Sequence, residues 1–322
     1  MLNNLIYSAN AVMPIFLLFA LGYILKAIGF LKKEFIDGCD KFVFRIALPC
    51  LVFTQLAFSQ NKVLSCTDVL SIIFCSVSIV VLVFGLILLC PLIIKSSASR
   101  GAFIQGAFRS NFSVLGLPLA ASLFGDDGTR IASFMLACAV PIYNILAVVI
   151  LSINNPDKKQ ILHKQKTALS ILKDIAANPL IIAVIFAIPF FVFKLDMPNM
   201  FKQSITYIAD TATPIALLSI GAGFDFSKLK GKVSLSVSCV FLKMLVIPLL
   251  FVVVAAALGF RNEHLGLVFI VFGSPTAISS YTMAKSMNSD HHLASQILLL
   301  TSITSVFSIF FGSFILKQIG LI

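Results

Sequence analysis

The sequence predicts an all-α integral membrane protein with ten transmembrane helices in two inverted five-helix repeats. Three observations carry that reading: extreme hydropathy, ten apolar runs of membrane-spanning length, and proline positions that recur at one offset between the two halves. Hydrophobic residues make up 59% of the 322-residue chain and charged residues only 11%, with a mean hydropathy of +1.04. A soluble domain of that composition would lack a solvated surface. The runs are long enough for helices to cross the hydrocarbon core and lack the alternation of barrel strands.

In chain order the expected spans are 11–31, 42–58, 69–94, 102–124, 131–153, 175–193, 205–224, 233–259, 265–287 and 293–315. The first opens a multispan pattern without a clear cleavage site, so it is expected to stay in the mature protein. The second and seventh are short and contain Pro49 and Pro214, while the fourth and ninth contain Pro118 and Pro275. A proline inside a span frees backbone groups that neighbouring helices or water must satisfy, so Pro49, Pro118 and Pro214 are expected to break their helices. These four spans are therefore the first candidates for function.

The formal charge is +11, but the basic residues are spread over short connections, which argues for membrane orientation and against nucleic acid. Lys26, Lys32, Lys33, Lys41, Lys95, Arg100 and the basic residues of 158–173, 228–232 and Lys285 fall on one side. Lys62, Arg130, Lys194, Lys202, Arg261 and Lys317 fall on the other, in smaller number. The richer side is expected to be cytoplasmic, with both termini outside. The longest connection, 154–174, divides the chain into repeats 1–153 and 175–322. It is polar and basic, and reads either as a solvated loop or as an amphipathic helix on the inner leaflet.

The repeat rests on offsets. Pro14 maps to Pro179 and Pro49 to Pro214, each 165 positions on, and the same shift carries Asn111 to Thr276, directly after Pro275. Five spans is an odd number, so the second copy enters from the opposite face, as in many secondary transporters with a midplane site between discontinuous helices.

Two stretches then stand out as broken helices facing one site: Arg109 to Pro118, and Gly273 to Tyr281. Around Asn111 lie Ser110 and Ser113; around Pro275 lie Ser274, Thr276, Ser279 and Ser280. Half-helices beginning at such breaks turn free N–H groups and a positive dipole end toward the gap, which suits a carboxylate. The alternative is that these small residues only let helices pack closely. Arg109 either pairs with an anion or snorkels to the interface.

Intramembrane charges are further candidates. Arg45 and Asp210 each precede a repeat-related proline by four residues; either they form a structural ion pair, with proton coupling through Asp210 the alternative role, or the inversion places them at opposite membrane faces. Lys243, deep in the eighth span, is a candidate for standing in for a coupling cation. Asp68 and Asp225 are expected to reach water near span ends. The seven cysteines show no paired or metal-ligand spacing, and the histidines fall in loops, so neither metal nor cofactor is expected.

With these residues in view, the chain resembles the bacterial branch of the auxin efflux carrier family. The resemblance lies in Pro14 to Tyr23, Lys41 to Pro49, Arg109-Ser110-Asn111 leading to Gly116-Leu117-Pro118, Pro141-Ile142-Tyr143-Asn144, Asn178-Pro179-Leu180, Pro214 to Leu217 and Pro275-Thr276-Ala277. It implies a bile-acid symporter-like fold, with spans 1, 2, 6 and 7 as scaffold and spans 3–5 and 8–10 as a transport domain whose helices 4 and 9 cross at their breaks. It further implies transport of organic anions, with malate or malonate proposed for bacterial members, Asn111 as the crossover asparagine and Pro275 as the ninth-span proline. The chain lacks the long central loop of the plant branch and has threonine after Pro275, so indole-acid specificity does not carry over.

The expected activity is alternating-access transport of small organic anions at the inner membrane, with Ser110, Asn111, Thr276 and adjacent backbone as ligands. A proton or sodium is left open as coupling ion, as is a homodimer. Runners-up are a sensor with the same fold and little flux, and an anion channel. No nucleophile–base set lies within the spans, which argues against an enzyme, and no continuous polar stripe supports a pore.

Overall fold

The computed structural model describes residues 2–58, 64–155, 179–223 and 233–322. Its regular structure there is helical throughout, apart from one isolated backbone bridge. The helices are α1 (Leu2–Ala27), α2 (Lys33–Phe42), α3 (Leu48–Ala57), α4 (Cys66–Ile93), α5 (Ser97–Phe108), α6 (Leu117–Ile153), α7 (Pro179–Phe193) and α8 (Asn199–Ala222), followed by α9 (Val233–Phe241), α10 (Ile247–Ala257), α11 (Asn262–Gly273), α12 (Ser279–Ser286) and α13 (His291–Gln318). Among the described residues, the stretches Cys66–Ile93, Phe112–Ile153, Val233–Ala257 and His291–Gln318 are long and apolar enough to cross a membrane.

Local chemistry sets several ends. A capping box opens α4: the Ser65 hydroxyl accepts from the Asp68 amide at 3.0 Å and the Asp68 carboxylate accepts from the Ser65 amide at 2.9 Å. Asp290 caps α13 through the Leu293 amide at 3.0 Å. Gly125 takes φ 62 and ψ −150, a region open to glycine, and divides α6 where the sequence separates the fourth and fifth spans.

Three prolines are accommodated by π-helical turns rather than breaks. The turns Val43–Ala47, Phe112–Gly116 and Leu242–Val246 lead into Leu48-Pro49, Leu117-Pro118 and Ile247-Pro248. In each, the residue before proline donates to the carbonyl five positions back. The wide turn makes room for a ring that would otherwise meet the preceding turn, and it needs no proline N–H. The expectation of breaks at Pro49 and Pro118 is corrected accordingly, and Pro214 lies inside an unbroken α8.

Helices α1, α3, α7 and α8 pack on one another. The closest approach joins α1 to α8, where Gly22 lies on the backbone of Leu218 and Gly221 on that of Phe19. Missing side chains allow that contact, as small residues do between membrane helices. Around the other elements, α5 and α11 are buried along nearly their whole lengths, from Ser99 to Phe108 and from Leu265 to Gly273. Helices apolar on every side belong in a core. By contrast, α4 exposes Val77, Val80, Val81, Phe84, Leu88 and Leu92, and α10 exposes Leu249, Leu250 and Val253. Apolar surface of that extent fits lipid.

Candidate functional site

The site forms where two helices stop beside each other. Helix α5 ends because Arg109 turns to extended backbone (φ −78, ψ 120). Helix α11 ends because Ser274, the residue before Pro275, is also extended (φ −69, ψ 146), as the proline ring demands. Ser110 pairs antiparallel with Thr276, and the Asn111 amide donates to the Pro275 carbonyl at 2.7 Å.

Side chains complete the junction. The Thr276 hydroxyl donates to the Gly106 carbonyl at 2.7 Å, and its amide donates to the Thr301 hydroxyl at 3.2 Å. Ser274 donates back to Ile270 at 2.6 Å. These bonds satisfy main-chain groups that the helix ends leave open. Ser274 and Thr276 thus serve the junction itself.

A cavity of about 250 Å³ lies against this crossing. Arg109, Ser110 and Ser113 line it from the first break, and Ala277, Ser279 and Met283 from the second; Val140, Tyr143 and Asn144 come from α6, and Phe44 from the turn before Pro49. Asn111, Ser274, Pro275 and Thr276 are not among its lining residues. Arg109 is 6% exposed, which excludes the snorkelling alternative. Its guanidinium donates to the Asn144 side-chain oxygen at 2.7 Å and lies against the Met283 sulfur. Neither partner is anionic, and the described ion pairs do not include it. A buried guanidinium with neutral partners attracts a carboxylate or phosphate bidentately.

The other predicted charges separate. Arg45 and Asp210 are both exposed, and no described ion pair joins them; the expected clamp is not formed. Lys243 is fully buried on the turn before Pro248. Asp68, expected to reach water, is 4% exposed and bonded to Arg130 at 3.4 Å and His264 at 2.7 Å. Arg130, read from the sequence as a connection residue, lies inside α6, and the three side chains join α4, α6 and the start of α11. Asp225 and the central stretch from 156 to 174 lie outside the described residues.

Sequence reasoning missed Asn144 and Tyr143 as cavity residues, although both stand in the motif that carries the family resemblance. Phe44 likewise stands in the Lys41 to Pro49 motif, whereas Met283 carried no signal, since an apolar residue in an apolar span is unremarked.

The sequence profile of the membrane transport protein family matches residues 7–312. The chain belongs to this family, the auxin efflux carrier family that its motifs resemble. It is 24% identical over 314 residues to an uncharacterized transporter of Methanocaldococcus jannaschii, covering 95% of this chain and 98% of the relative. An uncharacterized transporter of Methanothermobacter thermautotrophicus is 23% identical over 302 residues, 94% and 96% of the two chains. A Rhizobium meliloti protein, whose name proposes malonate transport, is 22% identical over 299 residues, 92% and 91%. Family and relatives are transporters, which points away from an enzyme. As a membrane transport protein with several apolar helices, the chain is a multi-pass membrane protein.

Proposed function

We propose that this protein is a secondary transporter of small organic anions that works by alternating access through ten helices in two inverted repeats. Residues 1–153 and 175–322 are the repeats, joined by the basic segment 154–174. The mutual packing of α1, α3, α7 and α8 supports a scaffold made from them, with the remaining spans as the moving domain. The bacterial inner membrane, with both termini outside, is the setting that the distribution of Lys and Arg supports.

One observation carries the reading: Arg109, buried at a crossing of two broken helices, lines a cavity and has only neutral partners. The carboxylate of a substrate supplies the missing charge. Ser110, Ser113 and Asn144 add donors beside it, and Phe44, Val140 and Met283 face the rest of the molecule. Asn111 and Pro275 hold the two breaks in register. The name of the Rhizobium meliloti relative makes a short dicarboxylate the first substrate to try.

Uptake of labelled malonate, malate and monocarboxylates into proteoliposomes tests this, with a pH gradient, a sodium gradient or neither to identify the coupling ion. Saturable uptake of at least one acid is the expected result. Flux linear in concentration would favour a channel, and binding without flux would favour a sensor.

A further inference from the structure

Arg109 is the one charged side chain among the described residues that line the cavity. Arg45, which follows Phe44 in the sequence, is exposed and outside that lining. The helix ends at the crossing come in both signs. Helices α5 and α11 stop there with their carbonyl ends, while the Phe112 turn and α12 begin there with their N–H ends, so dipole charges of about half a unit each offset one another to a first approximation. The cavity therefore offers an anion the single charge of one guanidinium, buried among neutral partners. A second carboxylate in the same space would be a buried charge without a counter-ion.

Two further groups on the wall lack partners. Tyr143 is 4% exposed and Ser110 6%; both line the cavity, and neither hydroxyl makes a hydrogen bond in the described structure. The two stand close to each other, yet a bond between them would engage only one of their two protons. At least one O–H is left to donate. A buried hydroxyl without a partner is destabilising until a ligand or water satisfies it, and a neutral acceptor on the substrate does so without bringing in a charge.

We propose that the cavity takes its substrate as a monoanion: one carboxylate pairs with Arg109, and a neutral hydroxyl, keto or protonated carboxyl oxygen of the same molecule accepts from the Tyr143–Ser110 pair. This inference rests on the reading of the cavity as an anion site and narrows it. A short dicarboxylate then binds with one carboxyl protonated, and a 2-hydroxy monocarboxylate matches the site at neutral pH.

The test measures apparent affinities for lactate, propionate and malonate from ligand-dependent melting temperatures of the full-length protein in detergent, between about pH 5 and about pH 8. At neutral pH lactate is expected to bind about tenfold more tightly than propionate, which lacks the hydroxyl. Malonate is expected to weaken about tenfold per pH unit once its second carboxyl ionises, while lactate holds its affinity. In a Tyr143→Phe, Ser110→Ala double variant, lactate is expected to fall to the propionate value. A malonate affinity that holds or rises toward the upper end of the range would overturn the proposal. So would lactate binding no more tightly than propionate, or a folded double variant that keeps the preference for lactate. If the double variant does not fold, the wild-type arms still decide. Stabilisation by none of the three acids at any pH would contradict the anion site itself and this inference with it, whereas the other adverse outcomes leave the anion site standing.

Discussion

The Asn111 amide and the Pro275 carbonyl, 2.7 Å apart, join two helix breaks main chain to main chain. The contact replaces hydrogen bonds that each helix forfeits by stopping inside the core, and it fixes the cavity wall beside Arg109. Residues at a 165-position offset in the sequence, Asn111 and Thr276, thereby become neighbours across one junction.

Thr276→Val tests how much the junction depends on side chains. The substitution keeps the shape but removes the donor to the Gly106 carbonyl, one of the last carbonyls of α5, in a fully buried setting. A loss of about 1–3 kcal/mol is expected, read as a lower melting temperature in detergent. Thr276→Ser should restore most of it.

Gly22→Ala and Gly221→Ala address the contact of α1 with α8. A methyl at either position would run into the opposing backbone, at Leu218 or Phe19, which no side-chain rotation relieves. Each is expected to destabilise by about 1–3 kcal/mol as the helices are forced apart. Gly85→Ala, inside α4 where a methyl meets open space, is the control and should leave the melting temperature unchanged or raise it slightly.

Asp68→Asn leaves the Arg130 guanidinium buried without its counter-charge and weakens the contact to His264. Breaking one side of such a pair is expected to cost about 3–5 kcal/mol. Adding Arg130→Met should recover part of that loss, because the uncompensated charge goes with it. A double-mutant cycle on thermal stability measures the coupling.

What could be read from the chain follows from which signals are local. Pro275 and the polar cluster around Asn111 announce broken helices because a proline beside several polar side chains in an apolar run leaves groups that need partners, and the offset of 165 links the two breaks. The π-helical turns before Pro49, Pro118 and Pro248 are invisible at that level: a proline states that a bond is missing, not whether the helix stops or widens. The Asp68–Arg130 pair spans 62 positions and depends on the bend at Gly125, so nothing near either residue reveals it. Composition likewise offers no way to tell a buried Arg109 from one reaching the interface. Tertiary packing decided that, and it places Arg109 and Asn144, rather than Asn111, among the residues that line the cavity.

The most direct test is ligand-dependent thermal stabilisation of the wild type and of Arg109→Gln by a panel of small organic acids. At a hundredfold excess over its Kd, an acid that binds only the folded protein should add about 2.7 kcal/mol to wild-type stability. Arg109→Gln is expected to melt near the wild-type temperature without ligand and to lose that stabilisation. An Arg109→Gln protein that folds and is stabilised as strongly as the wild type by the same acid would contradict the assignment of the anion site to the crossing.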